Sequence, residues 1–427
     1  MSIHKPMALR LRSRDVVEVA RRPAVIAAAG VAVAFYLAYH LTKLHVGILW
    51  PPILRGDASI LFDMGQRIVA LSQYPSDSIF PYPPPAVLIF AGLGGAGPTV
   101  FMGIWYLLMV AALVLILRTS LLQERAAVQS AWLVLGLAAV LLADSPISWD
   151  LRNANSNLIV LGLVMAGYAL LASSPILAGA VIGLSVSVKL YSGLLLIWML
   201  LRGQRRAFAG AVVATLILWI VLPCAVFGAE GALRLYATWV QQLRGLGDPL
   251  LQARPSSALP LVSLSHAVMA LTGEPYGSPA VRWRVDLLLA VWVAALAWYA
   301  WRCRPLAGHS TVPSRAALAD WTVLLLAPLP ASPWLEPYHS VPLLLAASIA
   351  LVIALDETMS GADRLAASTM LATSVLWLVC HVPFAVRGLQ VEGEFLIVVL
   401  ALGYVRPRLA QPAEPPAAPA LVRRGGP

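Results

Sequence analysis

The chain has 427 residues, of which 60% are hydrophobic and only 12% charged, and its mean hydropathy is +0.80. Soluble domains carry about 25% charged residues, so there are too few polar side chains here to cover a water-exposed surface. The net charge of +10 sits largely in short arginine runs between apolar stretches. That pattern orients membrane proteins and excludes the continuous basic stripe of a nucleic-acid binder, so no nucleic-acid partner is expected.

Apolar stretches of about 18 or more residues recur along the chain, and in lipid each must close its backbone hydrogen bonds internally. The expectation is an all-α integral membrane protein with about 12 membrane segments, surrounded by membrane lipids. Residues 1–22 hold Lys5, Arg10, Arg12, Arg14, Arg21 and Arg22 ahead of an apolar run from Pro23 to about Thr42. No small-x-small cleavage site follows, so this reads as a cytoplasmic N-terminus and an uncleaved first helix. A single transmembrane domain is expected over 23–408, followed by a disordered cytoplasmic tail over 409–427 that is rich in Pro and Ala.

The segment from about 43 to 83 is too polar to span, and within it Ile60, Leu61, Met64, Ile68, Val69 and Leu71 recur at roughly helical spacing. It predicts an interfacial helix on the outer face. From 84 to 201 the sequence leaves two arrangements open. Either Pro84–Gly97, too short to cross, is re-entrant, or the long run Pro175–Leu201 is a broken pair. Arg202, Arg205 and Arg206, then Arg302, Arg304 and Arg315, then Arg406 and Arg408, mark further cytoplasmic ends. Spans near 208–227 and 283–301 therefore place a second outer loop at about 228–282. Spans 318–332 and 339–355 form a hairpin with its tip, 332–339, outside, and 366–386 with 393–405 returns the tail inside. The cysteines Cys224, Cys303 and Cys380 are too far apart for a disulfide framework or a metal-ligand set.

Ionisable residues near a bilayer are costly and need a partner or a task. Asp57 follows Arg55 and Gly56 on the first outer loop; it is either a solvated carboxylate paired with Arg55 or a general base. His339 closes the rigid tip Ser332-Pro333-Trp334-Leu335-Glu336-Pro337-Tyr338, where it is either structural or an acid, a base or a hydrogen-bond donor to an anionic group. Lys189 lies in an apolar run with no acidic neighbour in sequence, so it either snorkels to the interface or meets an anion such as a phosphate. Arg254 and Arg152 stand in polar clusters at segment ends, Gln252-Ala-Arg254-Pro-Ser256 and Arg152-Asn153-Ala-Asn155-Ser156-Asn157. Such clusters suit a phosphate or sugar hydroxyls; ordinary helix capping would account for either, and is the favoured reading for the second. No phosphate-binding glycine loop, dinucleotide fingerprint, zinc motif or nucleophile elbow occurs at a usable position.

Read in order, these residues resemble glycosyltransferase family 87, bacterial integral membrane mannosyltransferases of the GT-C type. The resemblance runs from Asp57 through Tyr74 to Tyr82-Pro83-Pro84. It continues from Ala178-Gly179 through Lys189 to Arg202–Arg206, and on to Ser332-Pro333-Trp334 and His339. Where members often show Gly-Gln-x-Asn this chain has Asn153-Ala-Asn155-Ser-Asn157, and their later Asn-x-Ser is here Arg254-Pro-Ser256. The resemblance implies a GT-C polytopic fold and inverting transfer of a hexose, typically mannose, from a polyprenyl-phosphate sugar donor. The acceptor would be a lipid or glycan on the outer face of the cell inner membrane.

In that scheme Asp57 is the base, with His339, Lys189 and Arg254 near the donor phosphate, while Arg55, Tyr82, Glu336 and Trp334 shape the pocket. No cofactor is implied, and metal independence is expected. The competing class is a transporter or flippase of lipid-linked sugars, which would carry its charges mid-membrane on discontinuous helices.

Overall fold

The computed structural model describes residues 57–75, 82–120, 153–245, 264–274, 278–303, 314–332, 337–356, 359–379 and 384–409, with single helical positions at 23, 27, 30, 31, 147, 150 and 151. The basic N-terminus, most of the first apolar run and the tail beyond 409 lie outside the described residues. Every regular element among the described residues is helical. The helices are α1 (Asp57–Leu71), α2 (Pro84–Gly94), α3 (Pro98–Ser120), α4 (Asn157–Leu170), α5 (Pro175–Val188), α6 (Leu194–Leu201) and α7 (Arg205–Leu216). They continue with α8 (Leu222–Gly245), α9 (Leu264–Thr272), α10 (Pro279–Arg302), α11 (Arg315–Leu326), α12 (Leu343–Leu355), α13 (Gly361–Val379) and α14 (Phe384–Leu409).

Among the described residues, two apolar helical stretches are long enough to cross a bilayer by themselves: Pro98–Ser120, and Arg205–Leu243, which includes a kink. Others there, α2, α4, α5, the run from Leu190 to Leu201 and α12, are apolar but short. A helix of 14 residues such as α4 or α5 reaches only about 21 Å, against a hydrocarbon thickness of about 30 Å.

Between 84 and 201 the structure shows one short helix and one break. α2 ends after only 11 residues, and Gly97, at a φ of 92°, turns the chain into α3. The run Pro175–Leu201 is broken at Lys189, whose φ of −142° and ψ of 125° are extended. A short 3₁₀ turn, Leu190–Gly193, then leads into α6. The start of α5 and the end of α6 lie at one end of the molecule, because Ile176 touches Gly210 near the start of α7 and Arg202 directly precedes α7. Lys189 therefore stands at the apex of a helical hairpin.

Close packing fixes that hairpin. A Cβ on Gly179 would fall 1.8 Å from the Ala207 carbonyl oxygen, one on Gly210 2.2 Å from that of Ile176, and one on Gly183 2.6 Å from that of Ala211. Gly179 and Gly183, four residues apart on one face of α5, thus let its backbone lie directly on α7, the small-residue packing typical of helices in lipid. The order of these contacts shows that α5 and α7 run parallel. α3 and α4 also run parallel, since Trp105 and Tyr106 reach the carbonyls of Ala154 and Leu151 while Ala112 lies against Gly162.

α7 continues through a π-helical turn, Ile217–Val221, into α8, which is kinked at Gly228 (φ 71°, ψ 170°). Beyond the kink the chain folds back, and the Tyr236 hydroxyl donates to the Trp219 carbonyl while the two rings stack at 6.0 Å. The two segments assigned to the outer face from sequence meet here. Tyr74 N donates to Thr238 Oγ1 at 3.1 Å, and Gln242 Nε2 to the Pro75 carbonyl at 2.7 Å.

At the opposite end, Asp320 of α11 gathers the helix ends that carry the basic runs. It accepts from Arg202 at 2.8 Å, from Arg406 at 3.0 Å through each oxygen, from Tyr299 at 2.8 Å and from Trp198 at 3.1 Å. Arg315 adds a contact to Asp356 at 3.4 Å across the start of α11 and the end of α12. α14 is longer than the span expected over 393–405, starting at Phe384. The surface between the two ends is apolar. α7 and the π turn expose Val213, Leu216, Ile217, Ile220 and Val221, and α10 exposes Leu287, Val291 and Val293 between Trp283 and Trp301, which are exposed near its two ends.

Candidate functional site: a lysine on buried amides

Lys189 is half-buried at the hairpin apex, and its ammonium donates to Asn157 Oδ1 at 2.7 Å and to Asn155 Oδ1 at 3.2 Å. Both asparagines are buried, on the loop that leads into α4. The ring of Tyr82 lies 5.5 Å from the same ammonium, within cation–π range. Its hydroxyl shares a 2.9 Å hydrogen bond with Ser156 Oγ. Three sequence-distant pieces thus converge: the Tyr-Pro-Pro at the start of α2, the Asn-rich loop with Asp150 just before it, and the break after α5.

Asp150, fully buried, forms the floor. Its Oδ1 accepts from Asn157 Nδ2 at 3.0 Å, its Oδ2 from Leu158 N at 2.9 Å, and its carbonyl from Asn155 N at 2.9 Å. Leu158 N is one of the orphan donors of the first turn of α4, and Asp150, outside the Asn-rich cluster, caps it, whereas Ser156 at the N-cap makes no side-chain cap hydrogen bond. Asn155 Oδ1 also accepts from Ser156 N at 2.7 Å and Asn157 Nδ2 at 2.9 Å. Ala154, just before Asn155, has a φ of 48°, unusual for a residue with a Cβ, and the Trp105 indole pins its carbonyl at 2.8 Å. Such strain is retained where the surroundings over-determine the backbone.

An aromatic chain holds Tyr82 against α1 and α3. Rings of Tyr82 and Phe90, Phe90 and Trp105, Trp105 and Phe101, and Phe101 and Phe62 have centroids 5.3 to 5.4 Å apart. Tyr74 OH donates to the Tyr82 carbonyl at 2.7 Å; burial, with a smaller contribution from Tyr236, holds that phenol well above its ordinary pKa and so protonated.

Of the residues singled out from sequence, the structure joins Lys189 and Tyr82. Asp57 is the first residue of α1, and its side chain is outside the described set. α1 runs antiparallel to α2: Phe62 and Gln66 face Gly94, Gly65 faces Ala91, and Tyr74 reaches Tyr82. Asp57, five residues before Phe62, therefore lies beyond the end of α2 remote from Tyr82, and α2 alone is about 16 Å long. His339 is half-buried in the 3₁₀ turn Pro337–Ser340 that leads to α12. Arg55, Arg152, Arg254, Trp334 and Glu336 lie outside the described residues.

Asp150 and the pairing of Asn155 and Asn157 with Lys189 escaped the sequence reading. The signal was there in part: a lysine in an apolar run demands polar partners, and a triple-Asn loop at a helix start offers unspent amide oxygens. Nothing in the sequence pairs the two across 32 residues.

Among the described residues, exposed apolar helix faces, a buried charge cluster at Asp320 and a lysine seated on buried amides define a helical protein of the membrane class. A model of glycosyltransferase family 87 matches residues 80–328, more than half of the chain, and the protein belongs to that family. It is therefore a glycosyltransferase. The match covers Tyr82, the Asn-rich loop, Lys189 and Arg254; Asp57 precedes it and His339 follows it. No curated protein and no solved structure matches the chain.

Proposed function

We propose that this glycosyltransferase takes its sugar, a hexose and by resemblance mannose, from a polyprenyl-phosphate donor and passes it with inversion to a lipid or glycan acceptor on the outer face. The observation that carries the donor class is Lys189, a half-exposed ammonium seated on Asn155 and Asn157 beside Tyr82, within the residues matched to the family. A leaving lipid phosphate needs a cation or donors at the oxygen where charge develops, and Lys189 is the cation assigned to that task.

Asp57 is proposed as the general base that takes the acceptor hydroxyl proton as its oxygen attacks the anomeric carbon. The phosphate leaves from the opposite face of that carbon. His339 and Arg254 are assigned to the donor phosphate, and Arg55, Tyr82, Trp334 and Glu336 to the pocket wall. The proposal assigns no metal ion. It does impose a requirement. Acceptor oxygen, anomeric carbon and phosphate oxygen lie in line within a few ångströms, so donor binding has to bring the Asp57 end of α1 within one sugar of Lys189.

The transporter reading has one observation in its favour, since Lys189 sits at a break between two short helices. Family membership favours the enzyme. Transfer of radiolabelled sugar from a polyprenyl-phosphate donor, in membranes holding the wild type or Asp57→Asn, tests the proposal. Transfer by the wild type and its loss in the variant are expected, and undiminished transfer removes Asp57 from the base role.

A further inference from the structure

We propose that Asp150 is a positioning residue for the donor phosphate, acting through Asn157 to set what Lys189 faces. This rests on the assignment of Lys189 to that phosphate. Asn157 is fully committed: its two amide hydrogens go to Asp150 Oδ1 at 3.0 Å and Asn155 Oδ1 at 2.9 Å, and its oxygen receives Lys189 at 2.7 Å. Turned by 180°, the amide would set its oxygen against two acceptor oxygens and its hydrogens against an ammonium. The carboxylate of Asp150, which can only accept when ionised, therefore decides which end of Asn157 meets Lys189.

The carboxylate is itself anchored, because Leu158 N holds its other oxygen and Asn155 N holds its carbonyl. Its negative charge sits one amide group from the ammonium and offsets part of the cost of keeping a cation at this depth. An amide at position 150 would behave differently. With its oxygen kept on Leu158 N, it would set its hydrogens against those of Asn157, and a turned Asn157 would still meet the acceptor Asn155 Oδ1, so the bond that fixes Asn157 is lost in either orientation. The amide oxygen on which Lys189 rests would then lose its support, and the ammonium its fixed place.

The experiment measures affinity of the purified full chain in detergent for farnesyl phosphate and for uncharged farnesol. The wild type should prefer the phosphate, and Lys189→Gln should lose that preference. Asp150→Asn and Asn157→Leu should each weaken phosphate binding by about tenfold or more, the scale of a hydrogen bond to a charged group, with farnesol binding unchanged. Asp150→Asn added to Lys189→Gln should cost nothing further, since both act on one contact.

Unchanged phosphate preference in Lys189→Gln would overturn the phosphate assignment itself. Loss in Lys189→Gln with full preference in Asn157→Leu would overturn the role of Asp150 and leave the phosphate assignment standing. Should Asp150→Asn fail to fold, Asn157→Leu decides the question, because it leaves the Asp150 cap on Leu158 N in place.

Discussion

Arg406 grips Asp320 with two parallel hydrogen bonds, Nε to Oδ1 and Nη2 to Oδ2, each 3.0 Å long, and the arginine is fully buried. Arg202 binds the same carboxylate from the end of α6, and Tyr299 from the last turn of α10. One buried anion thus ties the ends of three helices to α11, and bidentate geometry makes the arginine pair directional.

Removing Asp320 should be far worse than removing one of its partners. Asp320→Ala leaves Arg406 buried without its counter-ion, a loss of about 3–5 kcal/mol, and should abolish a monodisperse peak on size-exclusion chromatography in detergent. Arg202→Ala, at a more exposed edge of the cluster, should yield folded protein with a lowered unfolding temperature. Equal behaviour of the two variants would show that Asp320 is not the hub.

The α5–α7 contact predicts a contrast between glycines. Gly179→Ala forces a Cβ into the Ala207 carbonyl, and overpacking of this kind costs about 1–3 kcal/mol. Because α5 carries Lys189 at its end, phosphate binding should weaken along with thermal stability. Gly92→Ala, on a helical position with nothing within 4 Å of the added carbon, should be neutral or slightly stabilising in the same melting assay.

Tyr82 contributes a ring and a hydroxyl, and these separate by substitution. Tyr82→Phe keeps the ring near Lys189 and the edge contact with Phe90 but loses the bond to Ser156, a change of about 1 kcal/mol. Tyr82→Ala loses all three and should reduce farnesyl phosphate affinity by at least about tenfold. Identical affinities in the two variants would assign the whole contribution to the hydroxyl.

Sidedness follows from the two ends of the molecule. With the native cysteines replaced, Ile60→Cys and Glu230→Cys, both exposed and on the segments joined through Tyr74 and Thr238, should react with a membrane-impermeant maleimide added outside. Ala362→Cys, exposed at the start of α13, should react only after the membrane is opened. Labelling in the reverse order would invert the assigned topology.

Much of the architecture was legible in advance because it follows from local physics. The arginine runs at Arg202, Arg315 and Arg406 marked one end, and those ends do meet, at Asp320 and Asp356. The apolar spacing over Ile60–Leu71 foretold α1, whose buried face is Ala58, Leu61, Met64 and Ile68. The break at Lys189 and the brevity of α2 were less clear, since hydropathy counts residues and does not register a single extended φ/ψ pair. The triple-Asn loop was legible as a helix cap, a role that falls to Asp150.

Composition by itself determines that this chain is helical and lipid-facing, because too few polar residues are present to do anything else with so much apolar surface. The same composition shows a lysine in an apolar run without saying what it meets. Only the tertiary structure decides that, by folding the chain back at Lys189 and laying α5 on α7. The ammonium then reaches two amide oxygens more than 30 residues away, over a buried aspartate that no sequence pattern linked to it. Hydrophobic patterning is a property of neighbours along the chain, whereas a hydrogen-bonded bed for a cation belongs to groups that meet only once the helices have packed.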